Sequence, residues 1–399
     1  MRACCLLRHV AAWVVVLLPA DPVWASLPEL AGLGTRSPAL AGTGASFLRG
    51  YEATYTNPAG LAGTSRRLTL GTVLGAYRTT LDGHPYAIEP TAGLLIGATL
   101  PLPLGGVLRD RLALGLGFYL PVGLINRARL PAAEVPRAVL LDARTQVVSV
   151  LLGGGVRLPA GLSLGVSVLA LAALTGEILV APDGAGRITA ASQSQLTVDY
   201  APIVGVRWEG RRLLLGAVFR GASASRFRMV VRSQLGDTVP VDLPTLTIEG
   251  VAQYDPLQVA GEAALRLSER LLVAVQLVWK HMSAFPPPLG KATAGADDPP
   301  PPGFHDTVVP RLSLEWHMAE QGRATLRLGY FFEWSPTPRD EVGRALLDAD
   351  RHVVCAGLGH QLPRLPLHLE GFLQWHQLAA GWRLAGNFLL GGLSVGVDL

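Results

Sequence analysis

The chain has 399 residues, of which 49% are hydrophobic and only 16% charged, with 46 glycines and 30 prolines. So apolar a composition excludes a disordered chain, because that much hydrophobic side chain does not stay solvated. The formal charge of +4 is small, and the arginines are scattered along the chain, which excludes a phosphate-tracking surface and with it a nucleic-acid partner.

The first predicted element is an export leader. Arg2 and Arg8 precede the apolar run Val10–Leu18, and Pro19 and the small-residue exit Val23-Trp24-Ala25 follow. That order of charged region, apolar region and cleavage site predicts a signal peptide over residues 1–25. Its apolar run is shorter than the ~20 residues a helical span requires. Cys4 and Cys5 leave with the leader, so Cys355 is the only mature cysteine and no internal disulfide forms. Beyond the leader only Leu162–Val180 approaches the length of a membrane helix, and Glu177 interrupts it.

Residues 26–66 are rich in Gly and Ala, with Gly32-Leu33-Gly34, Ala41-Gly42-Thr43-Gly44-Ala45-Ser46 and Thr56-Asn57-Pro58-Ala59-Gly60-Leu61-Ala62. This stretch has too few large side chains to build a core and is too long for a lead-in. From residue 67 onward the pattern alternates with period two, the mark of strands with two different faces. Strands are predicted near 67–78, 92–100, 111–122, 144–156, 161–177, 193–208, 211–221, 255–268, 270–283, 307–318, 322–334, 351–362, 366–378 and 387–398. In the third, Leu112, Leu114, Leu116, Phe118 and Leu120 oppose Ala113, Gly115, Gly117 and Tyr119. In the eleventh, Leu326, Leu328, Tyr330, Phe332 and Trp334 oppose Thr325, Arg327, Gly329, Phe331 and Glu333.

Alternation alone fits a soluble sandwich equally well; the connections decide. The links alternate between long ones (79–91, 123–143, 178–192, 222–254, 284–306, 335–350 and 379–386) and short ones such as Pro159-Ala160, Glu209-Gly210 and Glu320-Gln321. Bacterial outer-membrane barrels have short periplasmic turns, long external loops and an even number of antiparallel strands. A sheet in lipid must also close, since an open edge leaves backbone groups unpaired in hydrocarbon. The expectation is therefore an all-β transmembrane antiparallel barrel of about fourteen strands over residues 67–399, in the bacterial outer membrane and in contact with its lipid. Trp279, Trp316, Trp334, Trp375 and Trp382 are expected at the membrane interfaces. The last strand ends at Leu399, where barrel-assembly signals often favour an aromatic residue.

Three motifs in order resemble the FadL/TodX family of outer-membrane transporters for hydrophobic compounds. Asn57-Pro58-Ala59 stands where the family's N-terminal hatch carries an Asn-Pro-Ala motif, just before the barrel. Leu328 to Pro338 followed by Asp350-Arg351-His352 is similar to its strand–"SPVP"–loop–"DRH"–strand segment. Trp279 to Phe285 looks like its aromatic strand exit. The resemblance implies that residues 26–66 form a hatch plugging the lumen, and that an apolar ligand is captured by external loops and released sideways or past the hatch. It implies passive uptake of long-chain fatty acids or aromatic and aliphatic hydrocarbons by a monomer without cofactor or metal. Such uptake is downhill, because each methylene gains about 0.8 kcal/mol on leaving water.

Two further groups of residues have two readings each. In loop 123–143, Leu124, Ile125 and Leu130 stand beside Arg127 and Arg129. Exposed apolar surface of that kind marks binding and the arginines would pair a ligand carboxylate; alternatively the leucines pack the loop on itself. In the third strand, Gly115, Gly117 and Pro121 would permit a kink for lateral exit, or would pack closely against the hatch. Gly392-Leu393-Ser394-Val395-Gly396 fits a nucleophile-elbow pattern but lies in the last strand without a following helix. Glu315, His317, His368, Glu370 and His376 lack metal-motif spacing and are expected to hydrogen-bond the hatch and one another. No enzymatic activity is expected. A structural or assembly scaffold built on the same hatch-bearing barrel is the alternative function.

Overall fold

The computed structural model describes residues 27–88, 90–106, 111–122, 138–139, 147–182, 188–233, 246–286, 303–318, 323–338 and 346–399. The leader lies outside them. Fourteen strands form the wall: β1 (Arg67–Leu81), β2 (Thr91–Pro101), β3 (Leu112–Pro121), β4 (Ser149–Arg157), β5 (Leu162–Pro182), β6 (Ile188–Glu209) and β7 (Leu213–Arg220), then β8 (Gln258–Arg266), β9 (Leu271–Lys280), β10 (Thr307–His317), β11 (Ala324–Glu333), β12 (Arg351–Gln361), β13 (Leu367–Leu378) and β14 (Leu384–Asp398). Each pairs antiparallel with its neighbours, and β1 pairs with β14 from Arg67↔Asp398 to Leu81↔Leu384. The sheet is therefore a closed barrel, and no wall strand presents an open edge to lipid.

The period-two pattern sorts side chains as a membrane requires. On the outer face Leu74 is 62% exposed, and Leu152 and Val166 are each 60% exposed. They belong to an apolar surface running round the barrel, far larger than a water-soluble monomer tolerates. Trp279, Trp334 and Trp375 point outward toward the long-loop end, and Trp208 and Trp316 toward the short-turn end. Trp382 departs from the expected girdle, because it packs against the interior apolar cluster with Leu384 and Phe388.

The structure also differs from the sequence reading in the longest loop. Residues 222–254, expected as a connection, contain a hairpin of Ser223–Ser233 and Leu246–Asp255. Its first strand pairs parallel with the outer part of β5, from Phe227↔Leu174 to Ser233↔Val180. The alternation Arg226-Phe227-Arg228-Met229 carries the strand signal that the loop assignment passed over. The β5–β6 hairpin is longer than predicted for the same reason, since its outer half has a partner to pair with. Two shorter pieces also pair: His84–Tyr86 with β1, and Leu346–Leu347 with Ala138–Val139.

Candidate functional site

The inside of the barrel is occupied by the N-terminal segment. Residues 27–62 have little regular structure, only single turns at Leu27–Leu30, Arg36–Ala39, Ala53–Thr56 and Pro58–Leu61. They are nonetheless buried almost throughout. Short turns leave most backbone donors and acceptors without a helical partner, and the barrel wall supplies partners instead. Glu262 on β8 accepts from the backbone N–H of Gly44 (2.7 Å), Ala45 (3.0 Å) and Ser46 (2.8 Å), and from the Ser46 hydroxyl (2.6 Å). Arg220 on β7 donates to the carbonyls of Tyr55 and Thr56, both at 3.0 Å. Arg311 on β10 donates to Ala41 O at 3.2 Å.

Ion pairs tie the segment to the same side of the wall. Arg36 forks onto Glu315 at 2.6 and 2.8 Å, and Arg327 donates to that carboxylate and to Glu370. Lys280, buried on β9, donates to Glu29 at 2.6 Å and to Glu333 at 2.5 Å. Within the segment, Glu52 accepts from the N–H groups of Thr35, Arg36 and Ser37 at 2.7 to 3.0 Å. Burial, and behind it the Glu370 charge, push the Glu52 carboxyl above the usual carboxylate range despite those three donors.

Asn57-Pro58-Ala59 sits at the centre of this docking. Asn57 Nδ2 donates to Ala45 O (2.7 Å) and Val206 O (3.0 Å), and its Oδ1 accepts from Ala59 N–H (3.0 Å). Wall glycines make room for the motif. A Cβ on Gly205 would lie 1.9 Å from Asn57 Oδ1, and one on Gly165 would lie 2.1 Å from the Pro58 carbonyl carbon. Gly115 and Gly117 of β3 face inward in the same way, against Leu61 and Thr54 and against Leu33 and Thr54. The pairing of β3 with β2 and β4 runs unbroken through both glycines, and Pro121 pairs with Gly93 at the strand end. Leu124, Ile125, Arg127, Arg129 and Leu130 lie outside the described residues.

The wall is chemically two-sided. Among the residues whose side chains are described, the inward positions of β2 to β5 (as far as Leu171) are Gly, Ala, Ser, Thr, Leu, Tyr and Pro, with Arg157 only at the rim. Leu95, Tyr119, Leu151, Leu169 and Leu171 make this wall apolar toward the long-loop end, where Leu27, Leu30 and Leu33 of the segment join the same cluster. The strands from β7 onward, and Arg207 near the short-turn end of β6, carry the buried charges. At the short-turn end a recess opens between Arg36, Glu52, Arg67, His368 and Glu370.

Features that invited an enzymatic reading have other partners. Ser394 lies within β14 and meets Thr35 Oγ1 at 2.9 Å, not at a strand-to-helix elbow. His368 Nε2 faces Asp398 Oδ2 at 2.7 Å, and Glu315 and Glu370 accept from Arg327. Among the described residues no group of three or more His, Cys, Asp or Glu side chains is placed to hold a metal. The sequence reading did not single out Glu29, Glu52, Glu262, Lys280 or Gln374. The signal available for the wall residues was an ionisable or amide side chain at an inward position of an apolar strand.

The fold has well-defined relatives. The structure of a Pseudomonas aeruginosa FadL homologue superposes with a TM-score of 0.63 at 14% identity, covering 95% of this chain and all of the other. The Pseudomonas putida toluene transporter TodX gives 0.59 at 16% identity, covering 93% and 99%. The Ralstonia pickettii toluene transporter TbuX gives 0.59 at 14%, covering 93% and 99%. The chain has the fold of the FadL and TodX channels. No family model matches the sequence, and no curated protein is significantly similar to it. The likeness is one of shape, extending over nearly the whole of both chains.

Proposed function

We propose that this protein is a monomeric outer-membrane channel for the passive passage of hydrophobic small molecules, long-chain fatty acids or aromatic and aliphatic hydrocarbons. The observation that carries the reading is the β2–β5 sector, apolar outside and, at its described inward positions, uncharged short of the rim and apolar toward the long-loop end, beside a bore filled by the N-terminal segment. Water and ions gain nothing from such a wall, whereas an alkyl chain or ring is favoured on either side of it by about 25 cal/mol per Å² of apolar surface removed from water. The channels of the same fold named for toluene and monoaromatic hydrocarbons support the reading.

In this reading residues 26–66 act as a hatch seated by Asn57, Pro58 and Ala59. Leu124, Ile125 and Leu130 with Arg127 and Arg129 capture ligand outside. Release is sideways through the sector holding Gly115, Gly117 and Pro121. The charges beneath the apolar cluster favour that direction, since an apolar molecule moving toward the recess would displace hydrated or paired ions. Uptake of labelled toluene and oleate by cells with and without the gene tests the proposal. Faster uptake with the gene, and no gain for a polar solute of similar size, is the expected result. Equal rates for both hydrophobic probes would overturn it.

A further inference from the structure

The inner wall holds a buried hydrogen-bond acceptor that the described protein leaves unfilled. The strand register sets Arg311, Phe331, Val353, His376, Phe388 and Tyr77 side by side across β10, β11, β12, β13, β14 and β1. All six occupy inward positions. The His376 ring stacks on Phe388 with centroids 4.0 Å apart and planes at 17°, and Phe331 meets it edge-on at 6.2 Å. Tyr77 stacks on the far side of Phe388 at 5.0 Å, and the Arg311 guanidinium lies 5.2 Å from the Phe331 centroid. His376 is two residues from the long-loop end of β13, so the row lies in the long-loop half of the bore, where the Phe331, His376 and Phe388 rings are buried.

The protonation of His376 follows from its neighbours. Gln374, two residues earlier on the same face, faces Ala31 O at 3.0 Å and Pro38 O at 2.8 Å. Carbonyl oxygens only accept, so the Gln374 nitrogen is the atom that faces them. Its oxygen is thereby turned to His376 Nε2, at 3.2 Å. An amide oxygen also only accepts, so the imidazole carries its proton on Nε2 and a lone pair on Nδ1. Nδ1 is buried and has no partner among the described residues. An empty acceptor among aromatic rings is unfavourable, and a hydroxyl donor relieves it.

We propose that this row is a binding site for an aromatic ring bearing a hydroxyl group, a phenol-type ligand. The ring packs into the aromatic row and the O–H donates to His376 Nδ1. A hydrocarbon fits the same rings but leaves the nitrogen empty, so the site discriminates for one oxygen-borne proton. The inference rests on the bore being a path for hydrophobic molecules, and it deepens that reading by naming a chemical preference.

The test is calorimetric binding of p-cresol and 4-methylanisole to the purified full-length protein in detergent, corrected for micelle partition. The two probes share a ring and an oxygen and differ in the donor proton. About tenfold tighter binding of p-cresol is expected, the worth of one net hydrogen bond. His376→Leu abolishes the difference while keeping binding of 4-methylanisole, in barrels verified as folded by heat-modifiable gel mobility. Equal affinities in the wild type, which need no variant to interpret, overturn the proposal and indicate that water alone fills the acceptor. Discrimination that survives in His376→Leu also overturns it. Failure of both probes to bind removes this site, whereas the uptake assay decides separately whether the channel reading survives.

Discussion

Glu262→Ala tests whether the N-terminal segment is held in the bore by the wall or merely lies in it. The carboxylate is 5% exposed and accepts from three consecutive backbone N–H groups, the Ser46 hydroxyl and Gln276 Nε2. Alanine removes every one of those acceptors and offers no replacement. At about 1.5 kcal/mol for each of three stranded amides, the low end for hydrogen bonds to a charged group, the loss is roughly 4 to 5 kcal/mol. That is about a thousandfold change in the ratio of seated to unseated segment. The assay is hydrogen exchange at the amides of residues 44–46, with bilayer conductance as a second readout. Exchange should accelerate by about that factor and conductance should rise, while gel mobility still reports a closed barrel. Glu262→Gln, which retains one oxygen, should fall between the two. Unchanged protection at residues 44–46 in Glu262→Ala would refute the reasoning, because no other side chain among the described residues accepts from those three groups.

Gly165→Ala should unseat the Pro58–Leu61 turn, since its Cβ meets the Pro58 carbonyl carbon; raised conductance checks this, and Gly261→Ala, which meets nothing within 4 Å, should be silent. Asn57→Asp should disturb the segment more than Asn57→Ala, because it sets a carboxylate oxygen against the carbonyls of Ala45 and Val206 where the amide now donates; protease sensitivity of residues 26–66 ranks the two. Lys280→Met should lower barrel stability by about 3–5 kcal/mol by removing the cation between Glu29 and Glu333. Adding Glu29→Gln should recover part of that loss, read as the urea midpoint of the gel-mobility transition.

The barrel was legible in the sequence because its information is local. In β11 the alternation of Thr325, Arg327 and Glu333 with Leu326, Leu328 and Tyr330 declares the two faces, and only Phe331, apolar but inward, departs from it. The hairpin at Ser223–Asp255 was signalled by the alternation at 226–229, but its place was not legible, because the strand it pairs with, β5, lies some fifty residues upstream. The segment's docking is less local still. Glu262 lies 216 to 218 residues from the amides it accepts from, and Gln374 lies 343 residues from Ala31. Nothing at Gly44-Ala45-Ser46 announces a need for a carboxylate. The glycines of β3 carried a signal that local reasoning could not separate, since a kink and a close approach both need the missing Cβ, and only the positions of Leu33, Thr54 and Leu61 reveal the second.

The bore makes particular use of arginine. Only Lys280 and Lys291 are lysines among the chain's 34 basic residues. A segment of single turns, folded into a space nearly without water, exposes carbonyls at irregular angles and in adjacent pairs. An ammonium group is a point charge, whereas a guanidinium presents several donors in a fixed plane and keeps its charge when buried. Arg220 uses that fork to take Tyr55 O, Thr56 O and Gln258 Oε1 together, and Arg36 and Arg327 share the Glu315 carboxylate from two directions. The wall side chains among these, Arg220, Gln258, Glu315 and Arg327, lie on the strands from β7 onward. Toward β2–β5 the described contacts of the segment are side chains and the Pro58–Ala59 backbone on glycine and leucines on the apolar cluster, with hydroxyl hydrogen bonds such as Ser167 Oγ to Thr54 O at 2.5 Å. The segment is thus bonded to one side of the bore and packed against the other, and the weaker seam is the one beside the wall that is apolar outside and, at its described inward positions, uncharged short of the rim.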